Sequence, residues 1–158
     1  MFVRPIRPGD KRSLQRGLIR LSDESTRARF LAPKDHFSRA ELAYLTQVDG
    51  SDHAAFVAFE LRHPMQIVAV ARYIRDPEAP EAAEAAITVA DHLHGRGLGR
   101  LMGHVLADAA RAEGIQRFTA SMLSDNVAVM RLFDSISERL TTQPTDGPIR
   151  EIVAELAA

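Results

Sequence analysis

The clearest periodic pattern in the sequence lies between Leu98 and Gly114. Apolar residues recur there at steps of three and four, which places them on one face of a helix. They are Leu98, Leu101, Met102, Val105, Leu106 and Ala109. Gly114 follows the last turn, where a helix often ends in a left-handed residue. An apolar run over residues 85–90 precedes the pattern, so this part of the chain predicts a strand, a glycine-rich loop and a helix.

The first half of the chain predicts one strand, three helices and a hairpin. Asp10 follows a proline–glycine turn and is a candidate N-cap for the first helix. Leucines at helical spacing predict that this helix extends through Arg20. Ser38 and Glu41 match a capping box at the start of the third helix. The other predicted elements are a strand over residues 2–6, helices over residues 25–30 and 39–46, and antiparallel strands over residues 53–61 and 66–74, joined at residues 62–65.

The second half predicts a strand over residues 117–123 and then a helix opened by Asn126. One face of that helix carries Val129, Leu132, Phe133 and Ile136. A polar loop is expected over residues 141–148, followed by a last strand over residues 149–156. Residues 76–81 are acidic and interrupted by prolines, so they predict an exposed loop or one wall of a substrate cleft.

The order of these elements predicts an α+β (mixed α/β) fold. Most strands are close enough in sequence to pair locally, and helices stand between them on both sides. The 158 residues are 46% apolar and 26% charged, which is typical of one globular domain, here residues 1–158. No composition shift or linker divides the chain.

Charge and composition exclude several classes of protein. The formal net charge of −1 gives no nucleic-acid footprint, and no apolar run reaches the length of a membrane span. The N-terminus shows no signal-peptide pattern, so a cytoplasmic location is expected. The absence of cysteine excludes disulfides, thiolate metal sites and an acetyl-cysteine intermediate.

The glycine-rich loop predicts an anion site. Backbone N–H groups at a helix N-terminus lack intrahelical partners, and the peptide dipoles put partial positive charge there. Gly95, Gly97 and Gly99 let an anion approach the backbone, while Arg96 and Arg100 add full charge. The alternative is a tight turn that binds nothing. The loop is not a Walker A motif, and it departs from the dinucleotide fingerprint at a methionine.

The segment from His94 to Gly99 resembles the acyl-CoA signature of the GCN5-related N-acetyltransferase (GNAT) family. The strand and the Asn126-led helix that follow stand where this family has them. The resemblance implies a GNAT-like fold, with a central, mostly antiparallel twisted sheet and helices on both faces. The sequence departs from the family pattern at His94, at Phe133 in place of a tyrosine general acid, and at Ser137-Glu138 in place of Gly-Phe.

A narrower resemblance links the chain to the acetyltransferase domain of bacterial Pat-type protein lysine acetyltransferases. Asn126 and Met130 fit that pattern, together with residues 25–30, 42–49, 53–58, 70–73 and 83–91. In those enzymes the glutamate before the glycine-loop strand is the general base, and that position is Glu84 here. The resemblance therefore implies acetyl-CoA as cosubstrate and a protein lysine as acceptor, for example on an acyl-CoA synthetase.

The expected cofactor site combines the loop with the strand before it. The pyrophosphate of CoA would rest on the N–H groups of the loop, and the pantetheine arm would pair with the strand backbone. The N–H of Val89 is the candidate donor to the thioester oxygen. Asn126 would bind the arm or order water. The predicted cofactor residues are Ile87, Thr88, Val89, His94, Gly95, Arg96, Gly97, Leu98, Gly99, Arg100 and Asn126.

Direct acetyl transfer requires a neutral acceptor amine. A lysine pKa of about 10.4 means that deprotonation at pH 7 costs roughly 4.6 kcal/mol, part of which a positioned base offsets. Glu84 is the candidate base if partial burial raises its pKa, and an exposed strand-end carboxylate is the alternative. His53, Glu81 and Asp91 are the other candidate bases. His92 and His94 lack a third ligand, so no metal is expected.

The arginines of the first half are open to two interpretations. They are Arg12, Arg16, Arg20, Arg27 and Arg29. They form either a solvated face or a contact with an acidic protein surface or with CoA phosphate.

The sequence thus predicts an acetyl-CoA-dependent N-acetyltransferase acting on a primary amine, with a protein lysine as the first hypothesis. One alternative is an acetyltransferase for a small amine such as a polyamine, drug or metabolite. Another is a non-catalytic acyl-CoA-binding module.

Overall fold

The computed structural model describes residues 1–144 and 147–157, and the sequence folds there into one sheet with helices on both faces. The helices are α1 (Lys11–Ile19), α2 (Asp23–Phe30), α3 (Arg39–Thr46), α4 (Leu98–Ala112) and α5 (Val127–Ser135). The strands are β1 (Phe2–Pro5), β2 (His53–Glu60), β3 (His63–Arg75), β4 (Ala82–Val89), β5 (Arg117–Leu123), β6 (Arg139–Pro144) and β7 (Ile149–Glu155). Short 3-10 helices cover Pro8–Asp10 and Asp91–Leu93.

The described strands form a mixed sheet in the order β1-β2-β3-β4-β5-β7-β6. Every neighbouring pair is antiparallel except β4 and β5, which are parallel. This pair joins Ala82 to Arg117, Ala83 to Phe118 and Glu84 to Thr119, and goes no further. The α+β fold with a mostly antiparallel sheet is therefore confirmed, and the two central strands part after three residues of pairing.

Apolar side chains fill both faces of the sheet. On one face, α4 buries Met102, Leu106 and Ala110 against the strands, with Phe133 of α5 in the same cluster. On the other face, Leu14 and Leu18 of α1 pack with residues of β2 and β3. The periodic apolar stripe predicted for α4 is thus its buried face, although Leu101 remains exposed.

A close approach fixes α4 against β4. A Cβ added at Gly103 would lie 3.2 Å from Cγ2 of Ile136 and 3.4 Å from Cδ1 of Ile87. Only glycine therefore fits without movement of these neighbours. The contact therefore determines how closely α4 packs against β4, the strand that carries several of the predicted cofactor residues.

Local signals predicted the helix ends well, although α2 begins at Asp23, two residues before its predicted start, and Asp10 differs from its expected role. Ser38 and Glu41 form the expected reciprocal capping box of α3. Asp10 occupies the N-cap position of α1 but makes no side-chain cap. Its carboxylate instead accepts two hydrogen bonds of 2.8 Å from Arg4 and one of 2.7 Å from the N–H of Arg7. Asp10 thus ties β1 to the start of α1.

The polar loop predicted over residues 141–148 is wrong in its first half. Residues 139–144 form β6, which pairs antiparallel with β7 at the edge of the sheet. An edge strand needs only backbone bonds on one side, so its side chains can stay polar and leave no alternating apolar pattern. Residues 145 and 146 of the predicted loop lie outside the described residues. The predicted hairpin link also shortens to Leu61 and Arg62, because β3 begins at His63.

Among the described residues, no helix is both long and apolar enough to cross a bilayer.

We expect Asp10→Asn to lower the free energy of unfolding by about 2 kcal/mol at pH 7, because the buried carboxylate loses its charge-assisted bonds to Arg4. Arg4 and the N–H of Arg7, acting against burial, hold the pKa of Asp10 below its usual 3.8. The stabilisation is therefore complete above pH 3.8 and is lost as the pH falls through the folded-state pKa. Urea unfolding of both proteins from pH 2 to pH 7 measures the difference.

Asp108→Asn is the control, since the Asp108–Arg111 pair is a surface contact within one helix. If the difference in free energy of unfolding between wild type and Asp10→Asn stayed unchanged down to pH 2, the ionised Asp10 carboxylate would not be the source of the stabilisation.

Candidate active site

The parting of β4 from β5 opens a cleft that contains an unpaired strand edge. The N–H of Ala90 donates to the carbonyl of Val68 at 2.8 Å, so this residue points toward β3. Because successive residues of a strand alternate between its two edges, the N–H and C=O of Val89 and Ile87 point into the opening. The cleft has a volume of about 1420 Å³. Its exposed strand edge can pair with an extended, amide-bearing ligand.

The glycine-rich loop forms the next wall of the cleft. Gly95 and Gly97 adopt φ angles of +74° and +82°, where side chains other than glycine are strained. Gly97 is the N-cap residue of α4 and provides no side-chain cap, and the first turn contains no acidic residue. The N–H groups of that turn therefore face the cleft without a side-chain acceptor, with Arg100 beside them. This arrangement fits an anion.

The structure brings nearly all the predicted cofactor residues to this cleft. Those that line it are Ile87, Thr88, Val89, His94, Gly95, Gly97, Leu98, Gly99, Arg100 and Asn126. Arg96 is the exception, because its exposed side chain is not part of the lining. The Nε2 of His94 donates to the carbonyl of Val89 at 2.8 Å, which closes the loop back onto the strand edge.

Asn126 has a structural task as well as its place on the cleft. Its Oδ1 accepts a hydrogen bond of 3.2 Å from the N–H of Val129 and so caps α5. The second lone pair of that oxygen and the side-chain NH2 group remain for a ligand.

Helix α2 and its N-cap Ser22 also contribute to the cleft. Ser22 and Ser25 were not predicted there, whereas Arg29 was expected on a solvated face or in a contact with an acidic protein surface or CoA phosphate, and all three line the cleft. The carboxylate of Asp91 accepts a bond of 2.9 Å from the N–H of Ser22 and another from the hydroxyl of Ser25. Burial alone would raise the pKa of Asp91, but these bonds outweigh it and lower the pKa. Asp91 therefore anchors α2 to the loop, which makes it a poor base.

Glu84 lies where the strands begin to part, on the sheet face that carries α1 and α3. Its register partner is Ile74, and Arg72 lies two residues away along β3, opposite Ala86. The partial burial expected for Glu84 is not found, since its side chain is exposed. No hydrogen bond or ion pair within the described part of the chain engages its carboxylate, which is free to accept a proton.

The other candidate bases are occupied. Glu81 forms an ion pair with Arg117 at 2.9 Å. The Nε2 of His53 accepts from Nη1 of Arg72 at 2.8 Å, since an arginine can only donate. Burial, reinforced by the charge of Arg72, lowers the pKa of His53 to about 4. A histidine that remains neutral but shares its lone pair with a guanidinium is a weak proton acceptor.

Over residues 1–144 and 147–157, no three His, Asp or Glu side chains cluster as metal ligands would.

A family model described as the acetyltransferase (GNAT) family matches residues 19–136, which include the cleft, the loop and Glu84. The chain belongs to the GNAT acetyltransferase family. The enzymes of this family use acetyl-CoA.

Individual relatives narrow the comparison. The acetyltransferase Pat of Mycolicibacterium smegmatis is 35% identical over 136 residues, which cover 85% of this chain and 40% of that protein. The GNAT domain of S. lividans PAT superposes with a TM-score of 0.86 at 28% identity, and the match covers 98% of this chain and 89% of that one. The chain therefore spans less than half the length of the whole Pat relative.

A more distant structure shares only the fold. The yncA protein of Salmonella typhimurium, solved with acetyl-CoA as its cofactor, has a TM-score of 0.76 at 18% identity. The match covers 99% of this chain and 94% of the yncA chain.

The site geometry predicts an unusual titration for His53 of this GNAT enzyme. We expect its Hε1 NMR signal to titrate with a midpoint of about 4, because burial and the Arg72 guanidinium disfavour the imidazolium. Arg72→Met should move the midpoint up toward the ordinary value of 6.5. A wild-type midpoint near 6.5 would show that Arg72 does not donate to this ring.

Proposed function

We propose that this GNAT enzyme transfers the acetyl group of acetyl-CoA directly to a primary amine, and that the amine is a protein lysine. The observation that carries the proposal is the open edge of β4 meeting the uncapped start of α4. The similarity to Pat over 85% of the chain supports the lysine acceptor. The absence of cysteine from the sequence leaves no thiol to carry the acetyl group, so transfer proceeds without an acetyl-cysteine intermediate.

The cosubstrate is held mainly by backbone groups. The pyrophosphate accepts hydrogen bonds from the N–H groups at Gly97, Leu98 and Gly99, with Arg100 adding charge. The pantetheine amides then extend the sheet along Ile87 and Val89, in place of the missing β5 pairing. Thr88 and His94 shape the same wall, while Gly95 leaves room at its rim.

The chemistry begins with a proton transfer from the acceptor ammonium to Glu84. The neutral amine nitrogen attacks the thioester carbon, and the N–H of Val89 stabilises the oxyanion as charge builds on the carbonyl oxygen. The tetrahedral intermediate collapses as the C–S bond breaks. The amide is formed, and the CoA thiolate recovers a proton from the attacking nitrogen.

The leaving group needs little help. A thiol has an ordinary pKa near 8.5, so the thiolate is a stable leaving group at neutral pH. Phe133 stands where many GNAT enzymes have a tyrosine acid, and it is 2% exposed within the core. No proton donor is required at that position if the thiolate takes the proton released by the amine.

The decisive experiment compares wild type with Glu84→Gln, with acetyl-CoA and a panel of acyl-CoA synthetases and small amines as acceptors. We expect kcat/KM to fall by about 10²–10⁴-fold while CoA affinity stays unchanged, because only the base is lost. The deficit should shrink as the pH approaches the pKa of the amine, since more acceptor is then already neutral. Free-thiol detection and mass spectrometry measure the transfer.

Glu151→Gln is the matched control, since Glu151 is an exposed strand glutamate on β7, away from the cleft. Equal rates for Glu84→Gln and wild type would reject Glu84 as the base. Acetyl transfer to small amines alone would contradict the lysine acceptor and favour a small-amine acetyltransferase. CoA binding without turnover on any acceptor would favour a non-catalytic binding module.

A second variant tests the CoA site through the backbone of the loop. A Cβ at Gly97 would meet no protein atom within 4 Å, so a methyl group there would project into the cleft rather than into the fold. We expect Gly97→Ala to weaken CoA binding about tenfold by calorimetry and to lower the free energy of unfolding by about 1 kcal/mol through its positive φ.

Gly50→Ala is the control for strain, because Gly50 has a φ of +79° and no neighbour within 4 Å of its Cβ position. It should lose similar stability and keep wild-type CoA affinity. CoA affinity unchanged in Gly97→Ala would place the pyrophosphate elsewhere.

A further inference from the structure

A small inner cavity adjoins the CoA cleft on the opposite face of β4. Its volume is about 70 Å³, enough for several waters or a short side chain at roughly 10–15 Å³ per water. Leu18, Phe30 and Phe37 form part of its largely apolar wall. Thr88 and Arg29 line both the cavity and the cleft, so the two spaces meet there. The cavity therefore opens toward the reacting end of the cosubstrate.

The first unusual feature of the cavity is Arg72, whose side chain is buried at 4% exposure. Its Nη1 donates to the carbonyl of Leu45 at 3.0 Å and to His53 at 2.8 Å. Within the described residues its Nε and Nη2 have no acceptor, and no carboxylate pairs with it. Burial and the nearby charge of Arg29 lower its pKa to about 10. Arg72 thus presents unused donors to the cavity it lines.

Arg29 is the second cation on the cavity wall. Its guanidinium lies 4.8 Å from the ring centre of Phe30, and within the described chain it forms no ion pair. Burial lowers its pKa, while the charge of Glu84 acts in the opposite direction. Arg29 was predicted as part of a solvated face or of a contact surface. The structure places it on the wall of both the inner cavity and the cleft.

Two cations on an apolar wall are unfavourable unless an anion joins them. A buried charge without a counter-charge loses hydration that the protein must replace, and like charges repel. The carbonyl of Leu45, near the C-terminus of α3, offsets part of the charge of Arg72. Glu84 is the acidic group that acts on Arg29, but it is exposed and forms no ion pair with it. A bound carboxylate would use the free donors of both guanidinium groups.

We propose that the acceptor of this enzyme carries a carboxylate, which Arg72 and Arg29 bind in the inner cavity while the acceptor amine lies at Glu84. This inference rests on the proposed acetyl transfer and specifies its substrate class. Arg72 and Glu84 share one face of neighbouring strands, so one acceptor reaches both. The carboxylate comes from an acidic residue close to the target lysine or from a small amino acid.

Binding is tested first, without any transfer. Butyrate and butyramide have similar size and differ in charge, so calorimetry in the presence of CoA isolates the carboxylate. We expect butyrate to bind at least tenfold more tightly than butyramide, and we expect Arg29→Gln to abolish the difference. Arg12→Gln, which removes an exposed arginine of α1, and Glu84→Gln should keep the preference. Equal binding of acid and amide to wild type overturns the proposal, whatever the fate of the proposed reaction.

Turnover then identifies the source of the carboxylate. One arm compares lysine peptides with glutamate or glutamine next to the lysine, and the other compares free amino acids with their amides. The carboxylate form should have a KM at least tenfold lower in one arm, and Arg29→Gln should remove that ratio. A ratio near one in both arms, or a preference that persists in Arg29→Gln, contradicts the proposal.

Discussion

The short parallel pairing of β4 with β5 is the feature on which the rest of the site depends. Backbone N–H and C=O groups need hydrogen-bond partners. Strand β4 pairs with β3 along its length, but it pairs with β5 only as far as Glu84. Beyond that point the outer edge of β4 has no strand partner, and apart from the bond from His94 to the carbonyl of Val89 it is left for water or a ligand. The same parting places the start of α4 beside the open edge, so an amide-rich arm and an anionic group can be held together.

Strand β4 separates the two halves of the proposed reaction. In that reaction its edge residues, Ile87 and Val89, would offer backbone groups to the cosubstrate, while Glu84 and Ala86 lie on the face toward α1 and α3. The close packing of Gly103 against Ile87 fixes the position of the strand. Alternation along one strand would therefore present the thioester and the acceptor to each other.

Local signals predicted much of this arrangement, and tertiary packing explains what they missed. The capping box at Ser38 and the glycine-rich loop around Gly97 depend only on residues close together in the sequence, so they could be predicted from it. Strand β6 has no such signal, since an edge strand can be polar. The burial of Arg72 could not be read from its strand, because it depends on α3 and His53 closing over it. The exposure of Glu84 also depends on tertiary packing, and the sequence left partial burial and an exposed strand-end carboxylate as alternatives.

The exposure of Glu84 and the uncompensated arginines point to one conclusion about where the site is completed. A carboxylate in water is a weak base toward an amine, and a buried and a half-buried cation without an anion are unfavourable. An acceptor that brings its own carboxylate resolves both difficulties, because it neutralises Arg72 and Arg29 and excludes water from Glu84. The fold therefore supplies a site that is electrostatically incomplete alone, and the substrate supplies the missing charge. Selectivity for the acceptor and activation of its amine would then arise from the same contacts.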